Sequence, residues 1–214
     1  MICQHASPNF GPRRDGLRPQ FVVVHYTAMA SAQAALERLC DPAAEVSAHY
    51  LIGADGSLWQ MVAEADRAWH AGAGSWKGLR DINSRSIGIE LDNDGSVAFP
   101  EPLMARLEGL LEGILRRWFI PAEHVIGHSD MAPGRKIDPG PLFDWPRLAA
   151  RGLAAARPVP VAGPLSAFRA RAEAVGYCAD IDDEALLEAV RLRWRPEGTG
   201  PLCQADVAAL PAVG

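Results

Sequence analysis

The feature that most constrains the fold is a short run of β-branched apolar residues, FVVVHY, at positions 21–26. An apolar run without alternating polar positions is typical of a strand that is buried on both faces of a sheet. The polar residue His25 stands near the end of the run. The run therefore predicts a buried central strand, and it places a histidine where that strand would leave the sheet.

Helical and extended patterns alternate along the next part of the chain. Ser31 is a good N-cap for a helix over AQAALERLC, and Asp55-Gly56 is a typical hairpin turn inside HYLIGADGSLWQMV. SIGIEL predicts a further strand, and the amphipathic stretch after Pro102 predicts a helix of about sixteen residues. DWPRLAARGL is a last helical pattern, whereas residues 1–20 and 63–85 are expected to be loops. The order indicates an α/β domain.

A change of composition marks a boundary after this domain. Residues 154–164 form an Ala/Pro/Gly-rich segment, which is typical of a linker. Three short helical patterns follow, over 165–175, 183–194 and 204–210. We therefore predict a larger α/β domain over 1–153, a linker over 154–164 and a small three-helix domain over 165–214.

Composition excludes several classes of protein. The chain has 214 residues, a formal net charge of -5 and 22% charged residues, which describes a soluble globular protein and argues against a nucleic-acid partner. No stretch reaches the about eighteen apolar residues of a membrane helix, and no export signal is visible. The expected location is cytoplasmic, with the periplasm or outer membrane as the alternative if a signal was removed. The four cysteines lack metal or disulfide spacing and are expected to be reduced.

Polar residues at predicted strand ends could converge on one cleft. They are His25, Glu90 and His128, with Lys136 and Asp138 close behind in sequence. Two imidazoles and one carboxylate form a plausible zinc site that leaves the fourth tetrahedral position open, as catalytic zinc requires. Residue types alone leave the ligand set open, because His49, His70 and His124 are also available and a single histidine is more often structural.

Five sequence blocks carry a resemblance to a known family. The blocks occur in this order: VVVHYTAM, SAHYLIGADGSLWQMV, AWHAGAGSWKG, INSRSIGIELDN and VIGHSDMAPGRKIDPGPLFDWPRL. With them the chain resembles the type 2 N-acetylmuramoyl-L-alanine amidases, which are related to peptidoglycan recognition proteins, over roughly residues 7–150. The resemblance implies a central mixed β-sheet flanked by helices, with a zinc cleft on one face.

The same resemblance assigns site residues. It implies one Zn²⁺ per chain, bound by His25, His128 and Asp138. It also implies that Glu90 is the catalytic carboxylate and that Lys136 stabilises the oxyanion of the tetrahedral intermediate. The loop between the hairpin and SIGIEL offers candidates for substrate binding, which are Trp69, His70, Trp76 and Asn83.

The implied reaction is hydrolysis of the amide between N-acetylmuramic acid, or its 1,6-anhydro form, and L-alanine of peptidoglycan stem peptides, in cell-wall recycling or turnover. The expected partner is peptidoglycan or a muropeptide, and we expect a monomer. Two alternatives remain: a module that binds peptidoglycan without cutting it, and a zinc hydrolase with another amide substrate.

The C-terminal unit carries a looser resemblance. Residues 165–214 are similar to three-helix peptidoglycan-binding modules, but the usual turn DGxFGxxT is shortened here to CADIDDEA. A plain packing role for this unit is therefore an equal expectation.

Overall fold

A computed structural model describes residues 2–178 and 180–212. The described residues form a mixed six-stranded sheet, a two-stranded sheet and helices around them. The strands are β1 (Cys3–Gln4), β2 (Phe10–Pro12), β3 (Phe21–Tyr26), β4 (Tyr50–Ile52), β5 (Leu58–Gln60), β6 (Asp66–Ala68), β7 (Ser86–Leu91) and β8 (Val125–Gly127). The helices are α1 (Ala32–Cys40), α2 (Ile82–Arg85), α3 (Glu101–Trp118), α4 (His128–Met131), α5 (Trp145–Ala150), α6 (Phe168–Val175), α7 (Asp183–Trp194) and α8 (Gln204–Ala208).

The large sheet has the strand order β1-β5-β4-β7-β3-β8. β3 pairs in parallel with both β7 and β8, whereas β4 and β5 pair antiparallel, as the Asp55-Gly56 turn predicts. The register of β3 and β7 sets His25 directly beside Glu90. Parallel pairing brings the carboxyl ends of β3, β7 and β8 to one edge, so the polar residues at those ends become neighbours.

Helix α3 covers one face of the sheet. Its apolar positions recur at helical spacing, and the side chains of Leu103, Leu107, Leu111 and Ile114 are completely buried in a cluster that includes Ile89. Burying one such side chain stabilises the fold by roughly 1.5–3 kcal/mol. The helix thus anchors the sheet and confirms the prediction made from the stretch after Pro102.

The C-terminal helices cover the opposite face. Phe168 of α6 and Leu186 of α7 belong to one hydrophobic cluster with Phe21, Val23 and Ile126 of the sheet. Helices α6 and α7 therefore complete the core of the sheet by direct packing. The division into a separate domain over 165–214 stays a prediction, as does its use as a binding module.

Two segments expected to be loops contain regular structure. Residues 1–20 include β1 and β2, and residues 63–85 include β6 and α2. These elements have two to four residues each, so they are too short to show a periodic pattern, and the three strands are stabilised by pairing with other segments.

Two further features of the described residues concern membrane-spanning helices and the cysteines. No helix in the described part of the chain is long and apolar enough to cross a membrane. Cys3, Cys40, Cys178 and Cys203 are unpaired within the described residues, and their reduced state stays a prediction.

Candidate metal centre and cleft

Three buried side chains meet at the carboxyl edge of the sheet. His25 is on β3, His128 follows β8 directly as the first residue of α4, and Asp138 lies at the far end of the loop after α4. Among the residues that the structure describes, these three form the cluster that could hold a metal ion. The segment GHSDMAPGRKIDPG thus supplies two members, and its first turn is helical rather than irregular.

The three donor atoms are close to one another. His25 Nδ1 is 2.9 Å from His128 Nδ1 and 2.9 Å from Asp138 Oδ2, and His128 Nδ1 is 3.1 Å from the same carboxylate oxygen. Neutral imidazole lone pairs that face each other at this distance repel, and a cation between them removes the repulsion. Two imidazole nitrogens and one carboxylate oxygen are ligands that zinc takes, so the donor set fits a zinc ion.

A hydrogen bond behind His128 fixes which of its nitrogens faces the site. His128 Nε2 lies 2.9 Å from the carbonyl oxygen of Ala71, which can only accept, so Nε2 carries the proton. The Nδ1 atom is then left with its lone pair toward the cluster. Such a hydrogen bond behind a ligand orients the ring and fixes its tautomer.

A chain of three hydrogen bonds orients the ring of His25. Its Nε2–H donates to His70 Nδ1 at 3.0 Å, and His70 Nε2–H donates to Ser86 Oγ at 3.1 Å. The Ser86 hydroxyl in turn donates to the carbonyl oxygen of Ile82 at 2.6 Å. The His70 ring can lie against β7 because residue 88 is glycine; a Cβ at Gly88 would be 2.4 Å from the ring.

Burial keeps these rings neutral. Burial lowers the pKa of His25 to about 4, with the nearby His128 acting in the same direction. Burial also lowers the pKa of His70 well below its usual value. Burial alone would raise the pKa of Asp138, but the adjacent rings of His128 and His25 outweigh it and hold that pKa below its ordinary range. Neutral imidazoles and an ionised carboxylate are the forms that bind a metal.

Glu90 lies beside this cluster with an unused oxygen. Its Oε2 atom is buried and has no hydrogen-bond partner within the described residues. Burial, aided by the negative charge of Asp138, raises the pKa of Glu90 well above its usual value. A carboxyl group with a raised pKa in a cleft is suited to exchange protons near neutral pH.

A cleft of about 650 Å³ contains all five residues predicted for metal binding and catalysis. Lys136 is exposed on its wall, and Trp69 and His70 also line it. The volume lies within the roughly 300–1,000 Å³ of typical ligand sites.

Two predicted substrate contacts lie elsewhere. The Trp76 ring is buried in the hydrophobic cluster of the C-terminal helices, where it packs edge-on against Tyr177. The Asn83 side chain is buried and accepts hydrogen bonds from the backbone N–H groups of His70 and Ala71. Neither residue lines the cleft, so their expected contact with substrate stays a prediction without support from this placement. The physical reason is that their side chains point into the protein, although both are close to His70 in sequence.

Further residues of the cleft were not anticipated. Arg135 donates to the carbonyl oxygen of Ala71 at 2.7 Å and to that of Ala73. It thereby connects the AWHAGAG loop to the loop after α4, which carries Asp138. Arg38, exposed on α1, lines the same cleft. The adjacent cations of GRK could have indicated Arg135, whereas nothing local in the sequence distinguishes Arg38 from a solvated helix residue.

Comparison with known proteins gives consistent matches. The family model described as N-acetylmuramoyl-L-alanine amidase matches residues 15–141. The N-acetylmuramoyl-L-alanine amidase AmiD of Escherichia coli K12 is 40% identical over 154 residues, which covers 64% of this chain and 55% of AmiD. The chain thus spans little more than half of that relative. The 1,6-anhydro-N-acetylmuramyl-L-alanine amidase AmpD of Salmonella typhimurium SL1344 is 34% identical over 161 residues, which covers 67% of this chain and 86% of AmpD.

Solved structures extend the similarity over most of the chain. A complex of AmiD from E. coli with the substrate anhydro-N-acetylmuramic acid-L-Ala-D-gamma-Glu-L-Lys superposes with a TM-score of 0.78 at 31% identity, over 90% of this chain and 88% of that one. AmpDh3 from Pseudomonas aeruginosa superposes with a TM-score of 0.80 at 31% identity, over 92% of this chain and 91% of that one.

Proposed function

Because the chain belongs to the N-acetylmuramoyl-L-alanine amidase family, we propose that it hydrolyses the amide between 1,6-anhydro-N-acetylmuramic acid, or N-acetylmuramic acid, and L-alanine of the stem peptide. The observation that carries this proposal is the convergence of His25, His128 and Asp138 beside Glu90 in one cleft. The product that identifies the reaction is a free peptide with an L-alanine amino terminus.

His25, His128 and Asp138 are proposed to hold one Zn²⁺ per chain. Zinc in such a site polarises the scissile carbonyl and lowers the pKa of water toward neutrality. The chain's contribution is to present two neutral Nδ1 atoms and one ionised carboxylate, and the hydrogen bonds to Ala71 and His70 keep the two rings in place.

Glu90 is proposed to move the proton. Its carboxylate accepts a proton from the attacking water and then donates that proton to the amine nitrogen as the C–N bond breaks. Burial favours the protonated carboxyl group, which eases the first transfer. Lys136, on the cleft wall, is proposed to stabilise the oxyanion that develops on the carbonyl oxygen.

Substrate contacts are proposed for the open part of the cleft. Trp69 presents an apolar ring suited to a sugar face, and His70 borders the same space. The peptide of the AmiD substrate contains a γ-linked glutamate, whose α-carboxylate is free. Arg38 lines the cleft and is a suitable cation for a carboxylate of this kind.

The experiment that tests the proposal treats two substrates separately, an anhydro-muropeptide and intact sacculi, and identifies released fragments by mass spectrometry. Each reaction is run with metal-replete protein, with a chelator, and with zinc restored after chelation. We expect free stem peptides that disappear with the chelator and return with zinc. Metal-replete protein that releases none from either substrate would refute catalysis, and retained binding to sacculi would then favour the binding module. The two substrates also distinguish recycling from turnover of intact wall.

A further inference from the structure

The amino-terminal edge of the large sheet lies opposite the catalytic cleft. Strands β3, β7 and β8 are parallel, and the cleft is at their carboxyl ends. Three segments lead into their amino ends, residues 14–20 before β3, 77–85 before β7 and 116–124 before β8, and we refer to them together as the amino-edge face. A strand rises about 3.3 Å per residue, so the six residues of β3 separate this face from the cleft by roughly 20 Å.

Hydrogen bonds connect the three segments to one another. The backbone N–H of Gln20 donates to the carbonyl oxygen of Arg85 at 2.6 Å. The carbonyl oxygen of Gln20 accepts from His124 Nδ1–H at 2.9 Å, which leaves His124 Nε2 to accept from Lys77 Nζ at 3.0 Å. The segments therefore form one continuous surface, although they are far apart in sequence.

This face is rich in cations that lack carboxylate partners. Within the described residues, six of its cations make no ion pair, which are Arg14, Arg18, Lys77, Arg80, Arg85 and Arg116. The same segments contain three carboxylates, and that of Asp81 is already paired with Arg67 at 3.1 Å. Asp15 and Glu123 are exposed. The face thus has an excess of positive charge, although the whole chain has a formal net charge of -5.

The segment before β8 also presents an aromatic side chain to solvent. Phe119 directly follows α3 and is 87% exposed. Its backbone has a φ of 54°, in the left-handed region that favours glycine and that bulky residues rarely adopt. Neither core packing nor backbone preference accounts for phenylalanine at this position. An exposed aromatic ring among cations is typical of surfaces that bind where lipid headgroups meet acyl chains.

We propose that the amino-edge face docks on an anionic lipid bilayer, with its lysine and arginine side chains against headgroup phosphates and Phe119 inserted between the headgroups. Clusters of about four to eight lysines and arginines are typical of protein surfaces that bind anionic lipids. A bilayer contacts one face only, so the negative remainder of the chain points away from it. Nucleic acid also presents phosphates, but domains that bind it usually have a basic charge overall. Docking in this orientation leaves the cleft open on the side away from the bilayer.

The test measures binding of the full-length, metal-replete protein to sedimented vesicles. One set contains phosphatidylcholine alone, and the other contains equal parts of phosphatidylcholine and phosphatidylglycerol. We expect binding to the anionic set only, and weaker binding at high salt because ions screen the attraction. No binding to the anionic vesicles, or equal binding to both sets, would refute the proposal. A labelled single-stranded DNA is the second probe, and tighter binding to it than to anionic vesicles in the same buffer would overturn the choice of a lipid surface.

A matched pair of variants locates the charge effect. Arg80→Gln removes one exposed cation of the amino-edge face, and we expect about fivefold weaker binding to anionic vesicles, the contribution of one arginine near such a surface. Arg106→Gln is the control, because it removes an exposed arginine from the first half of α3, where Nε donates to the carbonyl oxygen of Gly56. It should bind as the wild type does. Equal losses in the two variants would mean that only net charge matters, which contradicts docking through this face.

Phe119→Gly separates the binding role of the ring from any role in folding. Glycine adopts the left-handed conformation without strain, so the free energy of unfolding should be unchanged or higher. Binding to anionic vesicles should nevertheless become several-fold weaker, because the inserted ring is lost. Wild-type binding by the folded variant would refute insertion of Phe119. Each readout is binding rather than hydrolysis, so the outcome does not depend on the proposed amidase activity.

Discussion

The hydrogen bond between His25 and His70 provides a sharp prediction, because it connects a ring outside the proposed metal set to metal affinity. In His70→Leu the acceptor for His25 Nε2–H, which lies 3.0 Å away in the wild type, is lost. His25 would then be free to rotate or to change its tautomer, so that Nδ1 no longer faces His128 and Asp138. Removing a partner of this kind typically weakens metal binding about 10- to 100-fold, which corresponds to roughly 1.4–2.8 kcal/mol.

The matched control is His70→Asn, because the amide oxygen can occupy the place of Nδ1 and accept the same hydrogen bond. We expect His70→Asn to recover most of the zinc affinity that His70→Leu loses. The assay is a competition for zinc with a chromophoric chelator, with circular dichroism to verify that both variants fold. Wild-type affinity in folded His70→Leu would refute the role of this hydrogen bond, and equal losses in the two variants would mean that ring packing, rather than the acceptor, is what matters.

Three further predictions concern other parts of the molecule. Lys136→Met should lower kcat by about 10²–10³-fold with zinc still bound, which steady-state kinetics and metal analysis would check; an unchanged kcat contradicts oxyanion stabilisation. Arg38→Gln should raise KM for a substrate with the glutamate α-carboxylate but not for its carboxamide analogue, and an equal effect on both rules out the ion pair. Burial alone would raise the pKa of Asp206, but hydrogen bonds from Arg191 and Arg195 outweigh it and hold that pKa below its ordinary range. Because the folded pKa is depressed, the stabilisation is present above the unfolded pKa of about 3.9 and is lost as pH falls below it. Asp206→Asn should therefore cost roughly 3 kcal/mol of unfolding free energy at pH 7, and the difference from wild type should shrink below about pH 4; a constant difference in denaturant titrations contradicts the ion-pair account.

Much of the central sheet could be predicted from the sequence because its elements carry strong local signals. The β-branched run of β3 is typical of a buried strand, and the apolar face of α3 is typical of an amphipathic helix. The short strands β1, β2 and β6 have no such pattern, since their stability comes from pairing with distant segments. The local sequence of a short strand does not indicate which distant segment it pairs with.

In the candidate site, too, some positions could be predicted from the sequence and others could not. The family resemblance placed His25, His128 and Asp138 together, and the structure brings their donor atoms within 3.1 Å of one another. Trp76 and Asn83 lie outside the cleft because sequence neighbours of a site residue need not share its cavity.

His70 illustrates what local sequence could not provide. It was expected to contact substrate, whereas its clearest interaction is the hydrogen bond with His25, which requires the bare backbone of Gly88 beside the ring. No local motif indicates that contact, because it forms only when β7 lies against the AWHAGAG loop that carries His70.

The central claim is that Glu90 moves protons beside a metal centre built by His25, His128 and Asp138, and Glu90→Gln tests it most directly. The variant keeps the size of the side chain but cannot accept a proton from water, whereas Glu112→Gln changes an exposed carboxylate on α3 as the control. Zinc content and the rate of peptide release from an anhydro-muropeptide are measured on the same samples. The account predicts one zinc per chain in all three proteins and a rate lowered about 10²–10⁴-fold in Glu90→Gln alone. A Glu90→Gln protein that hydrolyses at the wild-type rate, or that has lost its zinc, would contradict the account.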